Sequence, residues 1–268
     1  MAAEDRHQSP AKARSLAVGA AAALLIGCTA GTASAEPLVP VTTPTVLAEI
    51  PHDPGAYTEG LEFDGPTLYE STGEWGTSGL RQVDPTTGKV LRDVPISPKY
   101  FGEGITVVGD RIWELTYRDG VAIEWDRESL TPIREVPFPG EQWGVCLDGD
   151  RLIVSDGSAV LRFHDPTTLA ELGSVTVTRD GTPMRGIDEL ECVDGYVWTV
   201  VWPTDTIVRI DPRTGLVDRV VDGSGLWPGG PRDIAQILSS IAYSGGGEFL
   251  VVGKRWPTMY RVRFDPAA

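Results

Sequence analysis

The 268-residue chain holds only three histidines and three cysteines, and none of them stand at metal-ligand spacing. A structural or catalytic zinc site of the His/Cys kind is therefore not expected. Basic residues are also few: 23 Lys and Arg face 38 Asp and Glu, a formal net charge of −15. Such a surface repels nucleic acid and anionic membranes, which argues against both as partners and mildly favours substrates carrying positive charge. Beyond residue 35 no apolar run is long enough to cross a bilayer as a helix. Turn residues are plentiful instead, with 31 glycines and 21 prolines beside an apolar content of 41% that suffices for a core. Many tight turns and few long helices follow.

Residues 1–35 read as an export signal, with Arg6, Lys12 and Arg14 ahead of the apolar, alanine-rich stretch from Leu16 to Ile26. Two processing sites compete. Leu25-Ile26-Gly27-Cys28 resembles a bacterial lipobox, in which the cysteine is lipidated, and Ala33-Ser34-Ala35 resembles an ordinary signal-peptidase site. The expected localisation is outside the cytoplasm, as a cell-envelope lipoprotein anchored only through Cys28 or as a secreted protein. A linker over 36–45 and a folded domain over 46–268 would follow. Removing residues 1–35 leaves 20 Lys and Arg against 36 Asp and Glu, because three basic and two acidic residues go with them. Cys146 and Cys192 stay in the domain; export permits a disulfide between them, and free buried thiols are the equal alternative.

A strand ending in Asp, then a turn, then another strand recurs along the domain. It appears as LRQVDPTTGKVL from Leu80, AIEWDRESLTPIREV from Ala122, VLRFHDPTTLAELGSV from Val160, TIVRIDPRTGLVDRVV from Thr206 and MYRVRFDP from Met259. The equivalent aspartates, Asp84, Asp126, Asp165, Asp211 and Asp265, lie 42, 39, 46 and 54 residues apart, a spacing that suits a four-stranded propeller blade. Two further strands per unit lie between these hairpins, separated by Gly- or Asp-rich turns. The expected fold is all-β, a five-bladed β-propeller of four-stranded blades. The last unit lacks its outer strand, and Val46-Leu47-Ala48-Glu49-Ile50 is expected to supply it and close the ring, removing open sheet edges. PRDIAQILSS, from Pro231 to Ser240, is the one segment expected to be helical.

In a propeller the first strand of each blade lies nearest the axis. The residue before that strand and the residue ending the antiparallel second strand therefore share one face of the ring. Aligned repeats place Glu59, Glu103, Trp143, Asp188 and Ser239 at the first position, and Gly73, Tyr117, Gly157, Trp202 and Lys254 at the second. Phe101, Trp143, Trp202 and Trp256 crowd a region where exposed aromatics are normally avoided. An apolar pocket with a few convergent charges is the usual form of a small-molecule site. Burial and mutual repulsion of Glu59 and Glu103 would raise the pKa of at least one, which suits a general acid or base. The rival meaning of axial carboxylates is a structural calcium ion held by oxygen ligands.

At these residues the chain resembles the plant and bacterial type of glutaminyl-peptide cyclotransferase, a five-bladed propeller family. HDPGAYTEGL from His52, LYESTG from Leu68, LRQVDPTTGKVL from Leu80, FGEGIT from Phe101, DELE from Asp188 and GKRWP from Gly253 carry the resemblance in order, from about Val46 to Phe264. The resemblance implies cyclisation of an N-terminal glutamine to pyroglutamate with release of ammonia, on peptides or proteins, by a monomer that requires no metal or cofactor. It implies that Glu103 transfers protons and that Lys254 and Asp188 complete the catalytic set. Tyr57 and Phe101 would be apolar walls, Trp143 and Trp202 would frame the glutamine side chain, and Glu59 and Tyr117 would complete the substrate contacts. Three positions depart from the family pattern: Glu59 replaces a glutamine, Tyr117 a tryptophan and Asp188 an asparagine. A non-catalytic propeller that binds peptide or carbohydrate, and a calcium-dependent propeller hydrolase or lactonase, are the alternatives.

Overall fold

The structure is a computed structural model that describes residues 38–265, except 228, 230 and 233. Residues 1–35, expected to be an export signal, lie outside the described residues, Cys28 included. The fold is an all-β propeller. Four of its sheets have four strands and the fifth has seven.

The first and second strands of each unit are largely buried, and alternating exposure shows in outer strands such as Val90–Pro95 and Glu171–Thr176. In the first sheet Thr58–Asp64, Thr67–Thr72, Gly79–Val83 and Val90–Pro95 follow one another as an antiparallel meander. The same order recurs from Gly102–Val108 to Thr131–Pro137 and from Val145–Asp148 to Glu171–Thr176. It recurs again from Ile187–Val193 to Leu216–Asp222. That sheet is larger than the repeat expects: Thr178–Arg179 and Val41–Thr42 pair in parallel with Leu216–Asp222, and Thr182–Pro183 pairs with Thr178–Arg179. Val41–Thr42 thus forms a strand inside the segment expected to be a linker.

The last sheet is Leu238–Gly245, Glu248–Gly253 and Thr258–Arg263, with Thr45–Pro51 antiparallel to the third of these. The N-terminal strand occupies the outer place left empty by the fifth repeat. Thr45 Oγ1 also donates to Asp265 Oδ2 at 2.8 Å across this seam.

The recurring aspartates work as the repeat implies. Asp84 Oδ1 accepts from the amides of Thr86 and Thr87 at 2.9 and 2.8 Å, and Asp165 Oδ1 accepts from those of Thr167 and Thr168 at 3.0 and 2.7 Å. The left-handed position of the turn is Gly88 (φ 69°) or Gly215 (φ 75°), and elsewhere Leu130 (φ 45°) or Leu169 (φ 60°). Glycine is required at the first two: an added Cβ would fall 1.6 Å from Pro51 O at Gly88 and 2.1 Å from Thr176 O at Gly215.

The innermost strands touch their neighbours around a closed circuit. Gly60, Gly104 and Gly144 let them approach backbone to backbone, since a Cβ there would lie within 3 Å of the next strand's main chain. The equivalent residue of the fourth repeat is Glu189. Its carboxyl spans to both remaining neighbours, Oε1 accepting from Leu61 N at 3.3 Å and Oε2 from Ile241 N at 2.9 Å. Cys146 and Cys192, on adjacent inner strands, form a disulfide.

Among its described residues the segment 231–240 forms no α-helix. It holds one 3-10 turn, Ile234–Gln236, and then enters the strand Leu238–Gly245. Tertiary partners override its helical spacing: Arg232 pairs with Asp205, whose Oδ1 also accepts from Leu238 N at 3.1 Å. Among the described residues no helix is long and apolar enough to cross a membrane.

Candidate active site

Each inner strand starts opposite the end of the second strand of its own sheet: Thr58 faces Thr72, Gly102 faces Thr116, Ile187 faces Val201 and Leu238 faces Gly253. One or two residues later the register slips in all four sheets. The slip falls on Glu59, on Glu103 and Gly104, on Asp188 and Glu189, and on Ser239. A bulge bends its strand and re-aims a side chain. Here it turns three carboxyls from the sheet toward the mouth of the axis. In the remaining sheet the inner strand begins only at Val145, and Trp143 is held before it by Trp143 N donating to Ser155 O at 3.0 Å.

These positions converge on a cavity of about 270 Å³ lined by Tyr57, Glu59, Trp75, Phe101, Glu103, Tyr117, Trp143, Asp188, Trp202 and Lys254. All nine residues to which the family resemblance gives a catalytic or substrate role line it, whereas Ser239 of the first ring does not. Trp143 and Trp202 meet edge to face at 5.8 Å and 80°, forming one wall. Phe101 packs with Tyr57 at 6.0 Å and with Tyr117 at 5.7 Å. The two glycines of the outer ring make room for these walls. A Cβ on Gly73 would lie 2.4 Å from the Phe101 ring, and one on Gly157 2.5 Å from the Trp143 ring.

The polar floor is Glu59, Glu103, Asp188 and Lys254, all buried. Lys254 Nζ lies 2.8 Å from Glu59 Oε2 and 4.9 Å from the centre of the Tyr57 ring. Three carboxyls around one ammonium cannot all ionise, because burial and mutual repulsion disfavour the charged forms. Asp188 is pushed up to about 6 by burial, against the pull of Lys254 and the Glu189 amide. Burial raises Glu59 to about 8, with Asp188 adding to the rise and Lys254 opposing it. Glu103 is held well above the usual glutamate range by burial, with Glu59 and Asp188 adding to the effect. Burial works against the Lys254 ammonium, but Glu59, Asp188 and Glu103 outweigh it and raise its pKa. The floor therefore combines the Lys254 ammonium with carboxyls that burial shifts toward their neutral forms, Asp188 less than Glu59 and Glu103.

Two aromatic assignments change. Trp256 is fully buried, its Nε1 donating to Gln236 O at 2.7 Å, and it belongs to the core rather than the mouth. Sequence spacing shows that a tryptophan is near the site but not which way its ring turns. Trp75, absent from the sequence reading, lines the cavity and is exposed, 5.0 Å from Phe101 and 6.4 Å from Tyr117. It sits in a turn outside both ring positions; the only sequence signal was a tryptophan between glycines in STGEWGTSG. Among the described residues no three His, Cys, Asp or Glu side chains form a group able to hold a metal ion.

The sequence profile of the glutamine cyclotransferase family matches residues 19–264. The chain is 36% identical over 234 residues to a glutaminyl-peptide cyclotransferase of Arabidopsis thaliana, covering 83% of this chain and 72% of that one. The crystal structure of a Myxococcus xanthus glutaminyl cyclase superposes with a TM-score of 0.80 at 32% identity, over 87% of this chain and all of the other. These matches do not favour the non-catalytic or lactonase alternatives. By fold, by profile and by the order of its motifs, the chain belongs to the glutamine cyclotransferase family.

Proposed function

We propose that the protein converts N-terminal glutaminyl residues of peptides and proteins to pyroglutamyl residues with release of ammonia, and that Glu103 moves the protons. One observation carries this reading. A carboxyl that burial shifts toward its neutral form lies in a cavity of about 270 Å³ walled by an edge-to-face tryptophan pair, with one ammonium among the lining groups.

The reaction is intramolecular, so the protein's main task is to hold the glutamine folded with its amine against its own side-chain carbonyl. A peptide α-amine has a pKa of roughly 7.7–8.0, so a minority is neutral and nucleophilic near pH 7. As the amine nitrogen bonds to the side-chain carbonyl carbon, the carbonyl oxygen gains negative charge. Lys254 is the donor that stabilises it. Asp188, ionised above about pH 6, has no proton to offer that oxygen. Neutral Glu103 accepts the amine proton on one carboxyl oxygen and gives its own proton to the departing nitrogen from the other. The C–N bond to that nitrogen breaks, ammonia leaves, and Glu103 ends as it began. This chemistry needs no covalent intermediate and no bound cofactor.

In this reading the seven-stranded sheet is a four-stranded blade with three added strands, which makes the propeller five-bladed. The protein acts as an exported monomer, lipid-anchored or free, on peptide substrates. Ammonia release from a Gln-initiated peptide, compared between the unsubstituted protein and Glu103→Gln, tests the assignment. A loss of about 10²- to 10⁴-fold is expected for a proton-transfer group. Full activity in Glu103→Gln would remove Glu103 from the chemistry, and activity abolished by a chelator would favour the calcium reading.

A further inference from the structure

We infer that His52, with Glu70 as its partner, is a positioning residue that sets the separation of Glu59 and Lys254 across the seam where the ring closes. The inference rests on the proposed function.

His52 is buried at the start of the chain's first repeat. Its Nδ1 lies 2.6 Å from Trp256 O and its Nε2 lies 2.8 Å from Glu70 Oε1. Each of these contacts leads to one member of the pair at the floor of the cavity. On one side, Trp256 N donates to Gly253 O at 3.0 Å and closes a turn that carries Lys254. On the other, Glu70 Oε1 accepts from Thr58 Oγ1 at 2.7 Å, and Thr58 directly precedes Glu59. The backbone repeats the connection, since His52 N donates to Pro257 O at 2.9 Å and Ser239 Oγ donates to Thr58 O at 2.8 Å. Glu59 and Lys254 come from different sheets, the first and the last, so the meander of either sheet alone cannot fix their distance.

A carbonyl and a carboxylate only accept, so an imidazole between them is fully bonded when both ring nitrogens carry hydrogen. The other charged groups facing this pair are Arg81, 3.9 Å from Glu70 Oε2, and Asp53, which pairs with Arg81 at 3.1 Å. Arg81 also reaches Asp93 at 3.1 Å. Protonated in this way, His52 forms a compensated buried pair with Glu70, and the Arg81 guanidinium stands behind it.

The test uses two variants that each keep one arm. His52→Asn retains a donor at the place of Nδ1, and His52→Gln retains one that reaches toward Glu70. A bridge needs both arms, so both variants should lower kcat, by about 10- to 100-fold for a displacement of the order of 1 Å, with KM changing less. Misfolding could also lower kcat, so a second readout decides. Lys254 holds the Glu59 pKa down. Loosening the pair should therefore move the alkaline limb of the rate profile up by about half to one pH unit. The same shift should appear in the carboxyl carbon NMR titration of Glu59, which needs no turnover. An unmoved limb and an unmoved titration in folded variants would overturn the inference. An unsubstituted protein that cyclises no glutaminyl peptide would strike the functional reading instead, and the titration would still judge the brace.

Discussion

Replacing Glu59 by glutamine should be nearly silent at neutral pH and increasingly beneficial above it. The reason lies in the floor of the cavity. Burial raises Glu59 to about 8, so near pH 7 its carboxyl is mostly neutral and an amide is a close substitute. Once ionised, it draws the Lys254 ammonium, 2.8 Å away, from the oxygen that must be stabilised, and it adds a negative charge beside that oxygen. If turnover needs the neutral form, the active fraction of unsubstituted protein follows a single titration with midpoint about 8. The variant-to-parent ratio of kcat/KM should then be about 1.1 at pH 7, about 2 at pH 8 and about 11 at pH 9. Ionisation of the substrate amine affects both proteins alike and cancels in the ratio. Pyroglutamyl product, quantified by chromatography from one glutaminyl peptide between pH 6 and 9, supplies the measurement. A ratio that stays flat with pH, or a variant slower than the parent at pH 9, would refute the reasoning.

Asp188→Asn should behave similarly but over a lower range, since Asp188 titrates at about 6: the variant gains on the parent as pH rises from 5 to 7, and a constant ratio there would exclude Asp188 from the oxyanion's surroundings. Glu114 is raised by burial to about 8, opposed only by the Trp125 indole N–H at 2.8 Å, against a usual value of 4.5. Its neutral form therefore contributes stability that is complete below about pH 4.5 and is lost as pH rises through 8, so Glu114→Gln should flatten part of the fall in Tm between pH 5 and pH 8. Reducing the Cys146–Cys192 bridge releases a loop whose ends are 46 positions apart, and the chain-entropy relation gives a loss of about 4 kcal/mol. Urea titrations with and without reductant read that loss, and identical midpoints would show that the bridge is energetically idle.

The architecture was legible because the propeller repeats itself. The Asp turns mark one hairpin per unit, and a missing strand at one end matched a spare strand at the other. The site was legible for the complementary reason, that Glu59, Glu103, Trp143 and Asp188 break a repeat the fold does not require them to break. Less visible was how they reach the axis. The slips at Glu59, Glu103, Asp188 and Ser239 depend on pairing between strands, which no single segment encodes. The ring of Trp256 turns inward because Gln236 O is there to receive its N–H, and Trp75 reaches the mouth from a turn that the repeat does not align. The helical spacing of 231–240 gave way to a strand because Asp205, 33 positions before Leu238, binds that residue's amide. The pairing of Cys146 with Cys192 could not be read from their number, since it needs the two inner strands to be neighbours.

The seam between Thr45–Pro51 and Thr258–Arg263 sets a schedule for the molecule's birth. Thr45 and Asp265 are 220 positions apart, so the ribosome makes one side of the seam long before the other. Bringing ends that distant together costs roughly 5 kcal/mol of loop entropy, which only a finished set of sheets can offset. The ring therefore shuts only once Thr258–Arg263 has been made, and a chain cut before that strand leaves Thr45–Pro51 without its sheet partner.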